Sequence, residues 1–317
     1  MKTYGVTRKV AMSFVVALMS LFSLQAQEKA PATTVPVSMT VTLSVASGKQ
    51  MPEVTQQDVI VKQGKERLLV TGWTPATGDH AGLNLFILID DACDPSLGSQ
   101  LDDLRAFINA QPPTTSVGVG YMRNATVQIV QDFTNDHDQA AKAVRLPMGS
   151  VGAYGSPYLS VIDLMKRWPA NSNRREVVMV TDGIDRARRG MRGLGTNPDV
   201  DTASSVAQRT GTIIHTIYFP GVGRMHRNFW EATNGQNGIS KLSDQAGGES
   251  YFLGYQSPVS FKPYLDGVQK ILENQYILEF QAKPGKRAGL QYITLVSEIA
   301  GVELDSADSV WVPAAAK

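Results

Sequence analysis

Cysteine is nearly absent from this chain, and its charges nearly cancel. Cys93 is the single cysteine in 317 residues, which excludes an intrachain disulfide and a zinc site built from several cysteines. The formal net charge is +1, so bulk electrostatics favour neither a nucleic acid nor a membrane surface as partner. With 43% hydrophobic and 19% charged residues, the chain has an ordinary globular composition and is long enough for one large domain or two small ones.

Common catalytic signatures are also missing. The sequence contains no G-x-S-x-G, no HExxH and no phosphate-binding loop. The four histidines show no metal-ligand spacing, and His215 lies in an apolar strand pattern where a packed histidine is expected. Tyr251, Phe252 and Tyr255 are predicted to pack rather than to bind a ligand. The protein is therefore not predicted to be an enzyme.

Long apolar runs are scarce except at the N-terminus. Lys2, Arg8 and Lys9 precede an apolar stretch at residues 10–24, which is short for a membrane span and is followed by Ala26 at a suitable cleavage position. We predict a signal peptide at residues 1–26 and a flexible leader at residues 27–36; an uncleaved anchor is the alternative. No later segment is apolar enough to span a bilayer. The expected location is exported: periplasmic, envelope-associated or extracellular.

Both ends of the remaining chain show the period-two alternation of half-buried strands. Residues 37–76 are predicted to form an N-terminal β module, and residues 275–313 a C-terminal β segment that includes a strand over residues 292–297. We expect the two segments to pair into one small β-rich module.

The middle of the chain, residues 83–273, has strand patterns that alternate with helical ones. This alternation predicts an α/β fold, a doubly wound and mostly parallel sheet with helices on both faces. Pro157 at the first position of a helix supports one helix start. The helix predicted over residues 228–246 is expected to break at residues 234–238, where the sequence is NGQNG.

Two predicted strands of this region end in acids. Residues 83–94 read LNLFILIDDACD, an apolar run that stops at Asp90 and Asp91, and residues 177–183 read VVMVTDG, which ends at Asp182. Apolar runs of this kind are typical of buried parallel strands, and ligands bind beyond the carboxyl ends of such strands. Two acids delivered to the same edge predict a cation site.

The order of these features resembles that of a von Willebrand factor type A domain. The resemblance is narrower to the secreted VWFA-related group described from acidobacteria. It covers nearly the whole predicted mature chain and includes VTQQDVIVKQGK at residues 54–65, GGESYF at residues 247–252 and NQYIL at residues 274–278.

The resemblance implies a metal-ion-dependent adhesion site. In that family a D-x-S-x-S loop, a threonine loop and an Asp-Gly loop surround a divalent cation, Mg²⁺ or Ca²⁺ here. Asp90 falls on the first acid, Ala92 and Asp94 on the two serines, Ser156 on the threonine, and Asp182 on the third-loop acid. The implied metal residues are therefore Asp90, Asp94, Ser156 and Asp182.

Two departures from the pattern make this site degenerate. Ala92 offers no ligand atom, so water would have to fill one position of the coordination shell. Asp94 restores an oxygen but adds a third negative charge, which favours a bound cation and weakens its attraction for a partner's carboxylate. A type A scaffold without any metal is the alternative. Asp91 would replace Asp90 as the inward acid if the strand register were shifted by one residue.

Arginines crowd the segment after Asp182. Asp185, Arg186, Arg188 and Arg189 are candidates for a partner-binding rim, because arginine matches the geometry of carboxylates and phosphates. Two other interpretations are open: an arginine neutralises the acids in place of a metal, or the segment is a solvated loop.

The functional hypothesis is an exported, adhesion-type protein interaction module. Its protein partner would bind through an acidic side chain at the metal site or through the arginine rim. Alternatives are a metal-dependent hydrolase that uses Asp90, Asp94 and Asp182, and a metal-free structural component of the cell envelope.

Overall fold

The computed structural model describes residues 34–46, 48–150, 155–187, 198–222 and 228–315. The predicted signal peptide, residues 27–33 of the predicted leader, and Arg188 and Arg189 lie outside these ranges. No helix within them is long and apolar enough to cross a bilayer.

The described strands fall into two six-stranded sheets and one two-stranded sheet. In chain order the strands are β1 (Val35–Val45), β2 (Val59–Gln63), β3 (Glu66–Pro75), β4 (Leu83–Asp90), β5 (Thr115–Arg123), β6 (Thr126–Thr134), β7 (Arg174–Thr181), β8 (Thr212–Tyr218), β9 (Ser250–Tyr251), β10 (Gln275–Ala282), β11 (Gly289–Tyr292), β12 (Thr294–Ser297), β13 (Val302–Asp305) and β14 (Ser309–Val312).

The central sheet has the order β6-β5-β4-β7-β8-β9. All of its neighbouring strands are parallel except β6, an edge strand that runs antiparallel to β5. Every residue of β4 is buried, because both faces of the sheet are covered. This explains why the sequence of β4 is a continuous apolar run rather than an alternating one.

Within the described residues, six helices cover this sheet, three on each face. They are α1 (Leu101–Asn109), α2 (His137–Lys142), α3 (Pro157–Lys166), α4 (Pro198–Thr210), α5 (Phe229–Ala246) and α6 (Lys262–Glu273). One hydrophobic core joins α1, α2 and α6 to the face that carries Ile87, and the other joins α3, α4 and α5 to the face that carries Leu88. The predicted doubly wound α/β fold with helices on both faces is confirmed.

The second large sheet draws on both ends of the chain. Its order is β12-β2-β3-β10-β1-β13, and β1 pairs antiparallel with β10 from Val35 opposite Ala282 to Thr42 opposite Gln275. Val41, Phe280 and other apolar side chains of this sheet form a third core. The single strand predicted over residues 292–297 is wrong: β11 ends at Tyr292 and pairs with β14, whereas β12 begins at Thr294 and pairs with β2.

The break predicted inside α5 is also wrong, since the helix runs without interruption from Phe229 to Ala246. Gly235 and Gly238 lie where another residue would not fit. A Cβ on Gly235 would lie 2.3 Å from the Asp182 carbonyl oxygen, and one on Gly238 would lie 2.1 Å from the Tyr158 hydroxyl. Close packing against the Asp182 loop and against Tyr158 of α3 therefore outweighs the low helix propensity of these glycines.

Candidate functional site

The two predicted acids meet at the carboxyl edge of the central sheet. Asp90 is the last residue of β4, and Asp182 directly follows β7, its parallel neighbour. Asp90 is 5% exposed and Asp182 is fully buried. Two carboxyl groups thus lie in a region that water barely reaches, where an uncompensated negative charge is costly.

Asp90 is held by two hydrogen bonds. Its Oδ1 accepts from the Ala92 backbone N–H at 2.8 Å, and its Oδ2 accepts from the Thr181 hydroxyl at 2.8 Å. Burial, and then the charge of Asp182, raise the pKa of Asp90 from 3.8 to about 6, against the opposing effect of Arg186. Among the described residues, no arginine contacts Asp90 directly. Arg186 therefore compensates the charge of Asp90 only at a distance.

Asp182 has a direct cationic partner. The guanidinium of Arg186 donates to both carboxylate oxygens of Asp182, from Nη1 to Oδ1 at 3.1 Å and from Nη2 to Oδ2. The Ile184 backbone N–H donates to Oδ1 as well, at 3.0 Å. Only 9% of the Arg186 side chain is exposed. Burial by itself would lower the pKa of Arg186, but Asp182 and then Asp90 outweigh burial and raise it.

Backbone segments enclose this ion pair. The N–H groups of Arg186 and Ala187 both donate to the Gly155 carbonyl, at 2.7 and 2.8 Å. On another side, Gly221 lies so close that a Cβ there would be 2.1 Å from Asp182 Oδ2 and 2.7 Å from Arg186 Nη2. Arg186 was predicted to belong to an exposed partner-binding rim, but its guanidinium points inward. The hypothesis that an arginine neutralises the acids describes this geometry.

The remaining candidate residues act as caps. Ser156 is the N-cap of α3, and its Oγ accepts from the Leu159 N–H at 3.3 Å. Asp94 caps the short helical turn Pro95–Gln100, and its Oδ1 accepts from the Ser96 N–H at 2.9 Å. Asp185 Oδ1 accepts from the Ala187 N–H at 3.1 Å. Each of these oxygens stabilises a chain turn, a role that the sequence analysis did not assign to Ser156 or Asp94.

Asp91 is not the inward acid of an alternative register. It is fully buried on a different side of the strand end, where Arg145 donates to both of its carboxylate oxygens at 2.8 and 3.1 Å. The Met148 N–H donates to Asp91 at 3.1 Å, and the Arg145 guanidinium lies 3.6 Å from the centre of the Tyr121 ring. Arg145 is 24 residues downstream of this ring, and no pattern in the sequence pointed to it.

The described residues as arranged do not fit a hard divalent cation. Such a cation needs several oxygen ligands around one point. Ala92 supplies none, the guanidinium of Arg186 engages both oxygens of Asp182, and the Ser156 and Asp94 oxygens cap helical turns. Within the described ranges, no three His, Cys, Asp or Glu side chains are grouped so that they could hold a metal.

Cys93 lies beside the acids without catalytic features. It is fully buried, and its pKa is raised well above 9.0, first by burial and then by Asp90 and Asp182. A high thiol pKa suppresses the nucleophilic thiolate. His215 is likewise a packed residue: its Nδ1 accepts from the Glu249 N–H at 3.1 Å, so Nε2 carries the proton that it shares with Glu176 at 3.0 Å.

An exposed aromatic cluster lies next to the edge. We define it as Phe229, Trp230 and Tyr255, which are 58%, 72% and 40% exposed. The Phe229 ring lies edge-on to both others, with centroids 5.8 Å from Trp230 and 5.4 Å from Tyr255. The Tyr255 hydroxyl lies 3.0 Å from the Thr233 hydroxyl, and Thr233 is two residues before Gly235, which packs against the Asp182 carbonyl.

The sequence analysis missed this cluster. It predicted a helix over residues 228–246, which contains Trp230, and it predicted packing for Tyr251, Phe252 and Tyr255. Tyr251 does pack, in a stack with Tyr264, but Phe252 is 42% exposed and Tyr255 lies at the surface. The only available signal was the placement of two adjacent aromatics, Phe229 and Trp230, in the first turn of α5, where at most one of them can face the sheet.

The chain is similar to von Willebrand factor type A domains. A solved type A protein from Catenulispora acidiphila is 10% identical, with a TM-score of 0.43 over 89% of this chain and 75% of that one. The conserved hypothetical protein BatB from Bacteroides thetaiotaomicron is 11% identical, with a TM-score of 0.41 over 60% of this chain and 97% of that one. An aerotolerance-related membrane protein from Bacteroides fragilis is 12% identical, with a TM-score of 0.40 over 60% and 98%.

No family model matches the sequence, and no curated protein matches it. The structures that the chain is similar to include a type A protein, the kind of domain that the sequence resembles. The narrower resemblance to the acidobacterial group stays a prediction. At these identities and TM-scores, the similar structures transfer no ligand, partner or activity. The function must therefore be inferred from the residues of this chain.

Proposed function

We propose that this protein is an exported protein–protein interaction module that binds its partner through the exposed aromatic cluster at the carboxyl edge. The observation that carries this proposal is the cluster itself. Phe229 packs on both Trp230 and Tyr255, yet all three side chains remain exposed, Trp230 most of all. Exposed apolar groups that are contiguous in this way mark interaction sites, and tryptophan and tyrosine dominate binding energy at interfaces.

The position of the cluster supports the same function. Binding sites of open α/β sheets lie beyond the carboxyl ends of the strands, and α5 contacts the Asp182 loop there through Gly235 and Gly183. Export is supported by the basic and apolar pattern of residues 2–24. Because the described residues at the edge do not fit a hard divalent cation as arranged, we expect apolar and aromatic contacts to supply most of the affinity.

A hydrolase is not favoured. The one nearby cysteine is buried with a raised pKa, and Asp90 is enclosed by Ala92 and Thr181. A large cleft of about 860 Å³ exists, but it is lined by other parts of the chain, including Leu43, Gly248 and Asp305. An enzyme would need a reactive group and a cavity at the same place.

The test is affinity capture from an envelope extract with the purified protein as bait. Trp230→Ala should remove the main captured protein, because loss of an aromatic hot spot weakens binding by about 2 kcal/mol or more, roughly 30-fold. Tyr292→Ala is the matched control, since Tyr292 is also exposed, at 63%, but lies in β11. A partner that is captured equally by the wild type and Trp230→Ala would exclude the aromatic cluster as the binding surface.

The metal-free structural envelope component is the second candidate, and the buried Arg186–Asp182 pair favours it over a metal-dependent role. We expect such a component to assemble with copies of itself through the aromatic cluster. Sedimentation of the purified wild type and of Trp230→Ala separates the two, because only the structural role predicts a concentration-dependent assembly that the substitution abolishes.

A further inference from the structure

We propose that the guanidinium of Arg186 permanently replaces the divalent cation that the type A resemblance implies, so that the site is closed to metals until this side chain is removed. The proposal concerns the edge alone and does not depend on the proposed partner. Its basis is the position of the guanidinium, which donates to both oxygens of the acid that the family pattern assigns to the third loop.

The negative charge at the edge is partly compensated without a metal. Asp90 and Asp182 supply two acids, and Arg186 supplies one cation that is buried with them. Arginine stays protonated at every accessible pH, and it presents a planar fork that matches a carboxylate. A cation that the chain carries four residues after Asp182 cannot be diluted or chelated.

The surroundings are shaped for a guanidinium. Gly221 lies against Asp182 Oδ2 and Arg186 Nη2, where any Cβ would overlap with the ion pair. The Gly155 carbonyl accepts from both the Arg186 and Ala187 backbone N–H groups, which fixes the segment that aims the side chain inward. Space for the arginine therefore depends on a glycine from a third segment of the chain.

The same features leave too few free oxygen ligands to coordinate a divalent cation. Mg²⁺ binds through one or two carboxylates and keeps several waters in near-octahedral order. With Arg186 in place, the oxygens of Asp182 are engaged and Ala92 offers no ligand. Removing the guanidinium would leave two buried carboxylates without a neighbouring cation, an arrangement that attracts divalent ions.

The experiment titrates Mn²⁺ into the purified full chain and follows the free ion by electron paramagnetic resonance. The wild type should bind no Mn²⁺ at the edge at up to about 1 mM, the weak end of protein sites for hard cations. Arg186→Gln should bind one Mn²⁺ and gain thermal stability from it. Adding Asp182→Asn to that variant should abolish both effects.

Arg186→Lys is the matched control. It shortens the side chain and removes the bidentate fork, as Arg186→Gln does, but it keeps the positive charge. It should therefore bind no Mn²⁺ at the edge. If only the uncharged variant gains the ion, the lost charge and not a general loosening of the fold opens the site.

Two results would overturn the proposal. One is Mn²⁺ binding by the wild type that disappears in Asp182→Asn, which would mean that a cation displaces Arg186. The other is a folded Arg186→Gln variant without Asp182-dependent binding. If Arg186→Gln fails to fold, the wild type and Asp182→Asn still decide, because the proposal requires that neither binds Mn²⁺ at this edge.

Discussion

Two arginine–aspartate pairs lie at neighbouring strand ends of the central sheet and differ in their access to water. Asp91 follows β4 and is bound by Arg145, whose side chain is 33% exposed. Asp182 follows β7 and is bound by Arg186, whose side chain is 9% exposed. Both aspartates are fully buried. The carboxylates are thus equally enclosed, and only the cations differ.

This difference determines what happens when a pair is broken. Arg145 lies over the Tyr121 ring, and its charged end can turn towards water while its stem remains packed. Arg186 is enclosed by Gly221 and by the Gly155 loop, so its charge would stay buried. Breaking a buried pair is costly mainly because the remaining charge has no partner. The two arginine–aspartate pairs should therefore contribute unequally to the free energy of unfolding.

The largest expected effect is that of Asp182→Ala. It leaves the Arg186 guanidinium buried beside Asp90 alone, and we expect a loss of about 3–5 kcal/mol in the free energy of unfolding. Chemical denaturation followed by circular dichroism measures this loss.

Asp91→Ala is the comparison variant for that measurement. Because Arg145 can reach solvent, we expect a smaller loss of about 1–3 kcal/mol, mostly from the unpaired Met148 N–H. Equal losses of unfolding free energy in the two variants would mean that the exposure of the arginine does not determine how much each pair contributes to stability.

The second effect is the pH dependence of stability that Asp90 causes. Asp90 lies at the same edge, but its hydrogen-bond donors are the Ala92 N–H and the Thr181 hydroxyl and not an arginine. Its pKa is raised from 3.8 to about 6, so the folded protein holds the proton more tightly than the unfolded chain. The free energy of unfolding should therefore be highest with respect to this group below pH 3.8 and should decline by about 3 kcal/mol as the pH rises to about 6.

Asp90→Asn should flatten this part of the pH profile, because the amide cannot ionise. Urea denaturation at a series of pH values between about 4 and 7 compares the variant with the wild type. An unchanged slope in Asp90→Asn would mean that another group is responsible.

The smallest expected effect concerns Gly221, the glycine that lies against the ion pair. Gly221→Ala should lose about 1–3 kcal/mol, because its Cβ would lie 2.1 Å from Asp182 Oδ2 and would displace the pair. Gly289→Ala is the control, since no atom lies within 4 Å of its added Cβ; we expect a change within about 0.5 kcal/mol. Thermal denaturation of both variants measures these losses. If Gly221→Ala does not lower the stability, the ion pair has room for a Cβ beside it.

The central fold could be predicted because its signals are local. Buried parallel strands such as β4 and β7 are continuous apolar runs, and the acids that follow them must reach the same edge of the sheet. The start of α3 was marked by Pro157. Such features depend on residues that are close together in the sequence, so contacts with distant parts of the chain do not change them.

The errors occurred where distant packing overrides local preference. The NGQNG segment of α5 stays helical because Gly235 and Gly238 allow close contact with the Asp182 loop and with Tyr158. The split between β11 and β12 is decided by their different partners, β14 and β2. Tyr255 contacts Phe229 at the surface, a contact that no sequence spacing indicates.

By itself, the sequence determined the α/β fold and the meeting of Asp90 and Asp182 at one edge, because strand direction and apolar patterning fix both. It left open whether a metal, an arginine or water balances those acids. The tertiary structure shows where Arg186 points: its guanidinium donates to both oxygens of Asp182, because the direction of a long, flexible side chain depends on what surrounds it. Gly155, Gly221 and Asp182 come from three separate segments, and only the folded chain brings them around one guanidinium.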